Sequence, residues 1–422
     1  MNDNDPHWIR LALDAAARAV GVAEPNPRVG CVLVGIDGQQ IGAGFTQAVG
    51  GPHAEIMALR DAQARGHATT GATAYVTLEP CPHQGRTGPC CEALAAAGVR
   101  RVVASIADPN PLVAGQGFGY LRAAGVEVAV GPGAAESREL NIGFFSRMLR
   151  KTPWVRLKVA ATLDGKTALE NGMSQWITSE AARSDGHCWR ARADAILTGI
   201  GTVLEDNPRL DVRLAAPAPP HTEGPVIADP GMANSVIPDS LRSPRTTIRG
   251  DPRIAREARH GSAAISQRQP MLVVVDSRLE TPLDAALFLP GRHVLIYAAV
   301  ADAARAQALR DRGATVVNMP GRGAGTAHKV DLRGMLADLA ARECNELHVE
   351  AGHKLNGSLV REGLVDELVV YLAPKLVGQG RDMADFGPLT ALEQALRLEF
   401  RSATMLGPDL RIVARVVGRD DF

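Results

Sequence analysis

Short apolar runs of strand length alternate with amphipathic helical segments along the first 130 residues of the chain. The helical periodicity and the strand-like runs follow one another at residues 8–21, 29–34, 52–66, 74–78, 89–97, 101–106 and 121–130. Strands joined through helices pack side by side beneath those helices. The alternation therefore predicts an α/β domain with a mostly parallel, helix-covered sheet.

This pattern changes at residues 147–153, where Thr152-Pro153 separates a helical segment from a long strand that starts at Trp154. Because 422 residues exceed one ordinary domain, we predict two domains, 1–150 and 151–422. The second domain also alternates, with strands expected at 155–161, 194–199, 271–276, 293–297, 346–350 and 366–372. Residues 217–270 hold nine of the 27 prolines and little periodicity, which predicts a flexible insertion.

Charge and composition exclude several classes of function. The chain has 46 basic and 46 acidic residues, whereas a nucleic-acid-binding protein usually carries a basic excess. No run of about 18 apolar residues is present, and the N-terminus lacks the apolar core of a signal peptide. We therefore expect a cytoplasmic protein that binds neither nucleic acid nor a membrane.

His53-Ala54-Glu55, Pro80-Cys81 and Cys90 together are typical of a catalytic zinc site. One imidazole and two thiolates give zinc three ligands and leave one position open for water, which ionises near neutral pH. Glu55, close to His53 in a first helical turn after Pro52, is the carboxylate expected to move protons. His-x-Glu followed by Pro-Cys and a further Cys matches the zinc deaminase signature. Two alternatives stay open, Cys91 as the ligand instead of Cys90 and a structural site with His83.

A second constellation lies in the second domain, where Glu350 to Ser358 follow a strand and lead into a helix. Glycines at both ends let the backbone approach a phosphate closely, and the N–H groups of a helix start then face the anion. Gly199-Ile200-Gly201-Thr202 forms another glycine-rich turn after a strand. An ordinary strand-to-helix turn explains either segment equally well, and Arg190 by itself reads as a solvated helical charge.

Taken together, these motifs resemble the RibD family of riboflavin biosynthesis, in which a deaminase is fused to a reductase. The resemblance spans nearly the whole chain, and the eight residues between Cys81 and Cys90 are specific to that family. The matching segments are Pro25–Gly30, His53–Glu55, Thr77–Cys90, Asp108–Pro111, Ser174–Thr178, Val349–Gly352 and Asp366–Leu368.

This resemblance implies a cytidine-deaminase-like three-layer domain followed by a dihydrofolate-reductase-like domain. It implies deamination of 2,5-diamino-6-(5-phosphoribosylamino)pyrimidin-4-one with Zn²⁺, then reduction of the ribosyl group to ribityl with NADPH, in a homo-oligomer. The zinc ligands would be His53, Cys81 and Cys90, with Glu55 catalytic. Residues implied to contact NADPH are Ala160, Trp176, Thr202, Asp206, Ser277, Gly352, His353, Lys354, Leu355, Asn356, Gly357 and Ser358. Residues implied to contact the substrate are Ser174, Arg190, Leu210, Arg213 and Glu350.

Two other functions stay open at this point. A deaminase acting on nucleic-acid bases would share the zinc site but needs a basic surface, and residues 1–151 carry 13 basic and 13 acidic residues. A non-catalytic protein with structural zinc and a bound dinucleotide would release no ammonia.

Overall fold

The computed structural model describes residues 2–83, 88–213, 268–323 and 325–422. The first part of the chain forms a five-stranded sheet and six helices. Its strands are β1 (Gly30–Val34), β2 (Gln40–Phe45), β3 (Thr73–Val76), β4 (Arg101–Ala104) and β5 (Glu127–Val130). Its helices are α1 (Asp5–Ala17), α2 (Ala54–Ala64), α3 (Cys90–Ala96), α4 (Gln116–Ala123), α5 (Ala134–Leu140) and α6 (Ile142–Arg150).

The strand order of this first sheet is β2-β1-β3-β4-β5. Side chains alternate between its two faces, so Cys31 and Leu33 pack beneath α2, α3 and α4, while Val32 and Val34 pack against α1. The result is three layers. The expectation of a mostly parallel sheet holds for four of the five strands. β1 pairs antiparallel with both β2 and β3, so β2 runs in the same direction as β3, β4 and β5, which pair parallel. β2 itself was not predicted.

The second part of the chain forms a larger sheet, a two-stranded ribbon and five α-helices among the described residues. Its strands are β6 (Trp154–Thr162), β7 (Lys166–Leu169), β8 (Ala195–Gly199), β9 (Met271–Val275), β10 (Val294–Ala298), β11 (Ala314–Asn318), β12 (Glu346–Val349), β13 (Glu367–Ala373), β14 (Gly380–Asp382), β15 (Leu398–Leu406) and β16 (Asp409–Val416). Its helices are α7 (Glu180–Arg192), α8 (Ile200–Asp206), α9 (Ala303–Asp311), α10 (Leu332–Ala341) and α11 (His353–Arg361), with a 3-10 turn at Leu392–Gln394.

The nine strands of the second sheet are ordered β11-β10-β9-β8-β12-β6-β13-β16-β15. The seven strands from β11 to β13 are parallel, and β13, β16 and β15 are antiparallel. One face carries α10 and α11, and the other carries α8 and α9. Because β8, β9 and β12 are neighbours and run in the same direction, the turns after them meet at one edge of the sheet.

Buried ion pairs join the two sheets. Glu346, at the start of β12, accepts hydrogen bonds from Arg28 at 2.5 Å and from Arg156 at 2.7 Å, and all three side chains are at most 5% exposed. Arg28 precedes β1 of the first sheet, and Arg156 lies on β6 of the second. Asn345 adds a hydrogen bond of 2.8 Å from its side-chain amide to the carbonyl of Pro25. The two parts of the chain therefore share a polar, buried seam.

The six strands expected in the second part are all present, with bounds shifted by one residue or so, whereas β7, β11, β14, β15 and β16 were not predicted. The division into domains at 150 and 151 stays a prediction, consistent with α6 ending at Arg150. The insertion expected at 217–270 lies, except for its last three residues, outside the described residues. No described helix is both long and apolar enough to cross a membrane.

Candidate functional site

Three ligand-type side chains converge at one edge of the first sheet. His53 lies immediately before α2, Cys81 comes after the carboxyl end of β3, and Cys90 is the first residue of α3. The Nδ1 atom of His53 is 3.5 Å from the sulfur of Cys81 and 3.4 Å from that of Cys90. Bonds of about 2.3 Å to sulfur and about 2.0 Å to nitrogen at tetrahedral angles separate such donors by roughly 3.5 Å. The spacing therefore fits a zinc ion.

The two sulfur atoms are electrostatically coupled. The Cys90 thiol donates a hydrogen bond to Cys81, which lowers the pKa of Cys81 and raises the pKa of Cys90. A cation bound between them favours both thiolates, because it stabilises the charge that each sulfur gains on losing its proton. Within the described residues this is the only group of three or more potential metal ligands, and it has no fourth protein member.

Glu55 lies in the first turn of α2, and its side chain is almost fully buried. Burial raises the pKa of its carboxyl to about 7, and the nearby charge of Cys81 adds to the rise. A carboxyl with a pKa near neutrality can both accept and donate a proton under working conditions, as general acid–base chemistry needs.

The structure places the two alternative ligands elsewhere. Cys91 is buried in the apolar core, and burial raises the pKa of its thiol to about 11. The side chain of His83 is exposed and does not belong to the described ligand group. The neighbouring residues 84–87, part of the motif that carries the family resemblance, lie outside the described residues.

Glu79 is a buried carboxylate two residues before Cys81, and the zinc motif predicts no role for it. Glu79 accepts hydrogen bonds from the backbone N–H groups of Asp108, Gly115, Gly117 and Phe118, at 2.9 to 3.2 Å. Burial raises the pKa of Asp108 to about 7, with smaller contributions from the charges of Glu79 and Cys81. A signal was available in the sequence, because a carboxylate between Leu78 and Pro80 at the end of an apolar strand needs a partner.

Three of the residues expected to contact a dinucleotide, Thr202, Ser277 and Gly352, lie after the carboxyl ends of parallel strands in the second sheet. Thr202 and Gly352 follow β8 and β12, and a methyl group at Gly352 would lie 3.6 Å from the Thr202 hydroxyl. Ser277 follows β9, whose Val275 pairs with Gly199. Gly352 precedes α11 and has no Cβ, so the first N–H groups of that helix can approach a phosphate. This edge fits the phosphate portion of a dinucleotide.

The remaining residues of that turn do not all face the same edge. His353 and Leu355 are half-buried, and Lys354 is exposed. Asn356 donates a hydrogen bond of 2.9 Å to the carbonyl of Met383, and a methyl group at Gly357 would overlap the backbone of Asp385. The Ser358 hydroxyl bonds back to its own helix. The cofactor contacts of all the residues in this turn, and those of Thr202 and Ser277, stay predictions.

Arg190 and Glu350, both expected to contact the substrate, contact each other. Arg190 donates to the Glu350 carboxylate from Nε and from Nη2, the latter at 2.9 Å, and from Nη1 to the carbonyl of Asp211 at 3.0 Å. The Lys158 ammonium lies 3.7 Å from Glu350. Burial alone would raise the pKa of Glu350, but Arg190 and Lys158 hold it well below its usual range. Arg190 is therefore not a solvated charge on the helix surface. It belongs to a largely buried ionic cluster with Glu350.

The other predicted residues lie on several elements and loops of the second part of the chain. Leu210 is buried with φ of 49°, and Arg213 has an exposed guanidinium. Ala160 lies on β6 opposite Tyr371 of β13. Ser174 is half-buried, and Trp176 and Asp206 are exposed. The Arg183 guanidinium lies 4.6 Å from the centre of the Trp176 ring. Their contacts with ligands stay predictions.

Two family models match the chain. The RibD C-terminal domain matches residues 153–412, and the cytidine and deoxycytidylate deaminase zinc-binding region matches residues 2–106. The expected cytidine-deaminase-like and dihydrofolate-reductase-like domains are confirmed, and the fold and sites define a bifunctional deaminase–reductase.

Curated relatives and a solved structure match this chain over nearly their full length. The riboflavin biosynthesis protein RibD of Escherichia coli strain K12 is 38% identical, over 96% of this chain and 98% of its own. That of Aquifex aeolicus is 35% identical, with 97% of each chain covered. A crystal form of Acinetobacter baumannii RibD is 35% identical with a TM-score of 0.79, covering 98% of this chain and 99% of its own. This chain belongs to the RibD family. It is a bifunctional enzyme of riboflavin biosynthesis, and zinc and NADPH are its cofactors.

Proposed function

We propose that the chain deaminates 2,5-diamino-6-(5-phosphoribosylamino)pyrimidin-4-one and then reduces the ribosyl group of the product to a ribityl chain with NADPH. The observation that carries the proposal is the buried Glu55 carboxyl beside three converging metal-ligand side chains, with no fourth protein ligand among the described residues. A solved structure from Thermotoga maritima, 27% identical with a TM-score of 0.75 and 98% of both chains covered, is that of a diaminohydroxyphosphoribosylaminopyrimidine deaminase and 5-amino-6-(5-phosphoribosylamino)uracil reductase.

In the first reaction, His53, Cys81 and Cys90 would hold zinc, which would supply Lewis-acid activation of water. Glu55 takes a proton from the water whose oxygen bonds to the amine-bearing ring carbon, and it delivers a proton to the amine nitrogen. The carbon–nitrogen bond then breaks, so that ammonia leaves and a uracil remains. The pKa of about 7 suits this cycle, because a much lower pKa would leave Glu55 unable to return the proton.

In the second reaction, NADPH supplies the hydride that reduces C1′ of the ribose. The chain's own residues bind and orient the substrate, through Ser174, Arg190, Leu210, Arg213 and Glu350. Arg213 suits the substrate phosphate better than Arg190, since its side chain is 57% exposed and its ion pair with Asp211 is long, at 3.5 Å, whereas Arg190 donates to both Glu350 and Asp211. Glu350, ionised through its contact with Arg190, would accept hydrogen bonds from the substrate.

The test follows ammonia release and NADPH oxidation separately in the same purified chain. Glu55→Gln keeps the shape of the side chain but cannot take up a proton, so we expect ammonia release to fall by roughly 10²-fold or more. NADPH oxidation on supplied deaminated intermediate should continue. Glu136→Gln, an exposed carboxylate of α5, is the matched control and should leave both activities intact.

The same assay distinguishes the two other functions. A protein with structural zinc would release no ammonia before or after the Glu55 substitution. A nucleic-acid base deaminase would release ammonia from an oligonucleotide and not from the pyrimidine ribosyl phosphate. The cytoplasmic location expected from the composition and the homo-oligomeric state implied by the family likeness stay predictions.

A further inference from the structure

Glu79 connects the zinc-binding segment to the loop and helix that follow β4. Its side chain is 3% exposed. The Oε2 atom accepts the N–H of Asp108 at 3.2 Å and of Gly115 at 2.9 Å, which are the two ends of the 108–115 loop. The Oε1 atom accepts the N–H groups of Gly117 at 3.0 Å and Phe118 at 3.2 Å.

Two of these four donors belong to the first turn of α4. The first N–H groups of a helix have no partner inside the helix, and the Gly115 residue that precedes α4 has no side chain to cap them. A negative charge at this end is also favoured by the helix dipole. Glu79 thus acts as an N-terminal cap supplied by a residue 36 or more positions earlier in the chain.

The same contact brings the loop against the zinc ligands. A methyl group at Gly117 would lie 2.0 Å from the carbonyl oxygen of Pro80, the residue between Glu79 and Cys81. The backbones of the two segments are therefore in direct contact at that point. Asp108 lies at the start of the loop. It is close enough to Cys81 that the charge of the Cys81 sulfur contributes to the raised pKa of the Asp108 carboxyl.

We propose that Glu79 is a positioning residue of the deaminase site, holding the 108–118 segment against Pro80 and Cys81 so that this segment forms a fixed wall beside the zinc ligands. The proposal rests on the deaminase function proposed above. Glu79 touches neither the ligand atoms nor Glu55 and acts only through the segment that it holds. Loss of the contact would leave zinc bound and the substrate poorly oriented.

Glu79→Gln is the direct test, since an amide presents one acceptor oxygen and one NH₂ group to four N–H donors. We expect kcat/KM for ammonia release to fall by about 10- to 100-fold, mainly through KM, the scale on which small misplacements of a substrate act. Zinc stoichiometry and NADPH oxidation on supplied intermediate should match wild type. Hydrogen–deuterium exchange of residues 108–118 should be faster in the variant.

Two further variants separate positioning from stability. Asp5→Asn removes a buried carboxylate at the start of α1, which accepts hydrogen bonds from Arg101 and Tyr75. This variant should lower the melting temperature without changing deaminase kinetics. Gly117→Ala keeps Glu79 but separates the two backbones, and it should reproduce the rise in KM.

Each outcome decides the matter. Ammonia release by wild type reports on the proposed function, and exchange in 108–118 reports on Glu79 whether or not ammonia is released. The proposal is overturned by unchanged exchange in that segment, by a lower melting temperature with wild-type kinetics in Glu79→Gln, or by loss of zinc together with activity.

Discussion

Glu346 is the carboxylate on which the seam between the two sheets depends, and replacing it with Gln tests that dependence. Its side chain is 1% exposed and accepts from Arg28 at 2.5 Å, Arg156 at 2.7 Å and Arg192 at 2.8 Å. Burial alone would raise its pKa, but the three guanidinium groups hold the pKa of Glu346 well below its usual range. The carboxylate is therefore ionised at neutral pH.

The cost of the substitution follows from these contacts. In Glu346→Gln one oxygen becomes an NH₂ group, so either the Arg28 contact on Oε1 or the shared Arg156 and Arg192 contact on Oε2 is lost. Hydrogen bonds to charged groups contribute about 1.5–3 kcal/mol each, and removing one member of a buried ionic group costs about 3–5 kcal/mol. We expect a loss of about 3–5 kcal/mol in the free energy of unfolding.

Urea denaturation with two probes measures this loss and its location. Zinc release reports on the first sheet, and tryptophan fluorescence reports mainly on the second part, which holds three of the four tryptophans. Because Glu346 joins the sheets, its substitution should lower both midpoints and separate them. Glu127→Gln is the control, since Glu127 pairs with Arg101 but is 62% exposed, and it should change stability by at most about 1 kcal/mol.

A loss below about 1 kcal/mol in Glu346→Gln, with coincident midpoints, would refute this reasoning. It would mean that the guanidinium groups find other partners, or that water enters the seam, once the carboxylate is gone.

Two other predictions concern the first sheet. The hydrogen bond from Arg101 holds the pKa of the buried Asp5 near 2, against an ordinary value of 3.8, so the pair stabilises the fold above pH 4 and progressively less as pH falls toward 2. Asp5→Asn should cost on the order of 1–2 kcal/mol at pH 7, and a difference from wild type that did not shrink by pH 3 would count against the assignment. Cys90→Ser should reduce bound zinc well below one per chain by metal analysis, whereas Cys91→Ser should retain it, because only Cys90 faces His53.

Much of the local structure follows from the sequence. Periodicity located the strands at the centre of both sheets, since buried parallel strands are continuous apolar runs. The zinc residues were recognisable because His53 and Cys90 each follow a proline at a helix start, where local rules apply. The strand β2 is mostly buried, but Gly42 and Gly44 interrupt its apolar pattern, and β15 is largely exposed. Neither strand was predicted.

The charged contacts, in contrast, were decided only by the tertiary structure. Arg28 and Glu346 are 318 positions apart, and Arg190 and Glu350 are 160 apart. In sequence each of these residues resembles a solvated surface charge, because nothing local indicates burial. A charge enters a core only when the fold supplies a partner that offsets the loss of hydration. The chain sequence thus determined the elements and the metal ligands, and long-range packing determined which charges are buried together and what Glu79 holds in place.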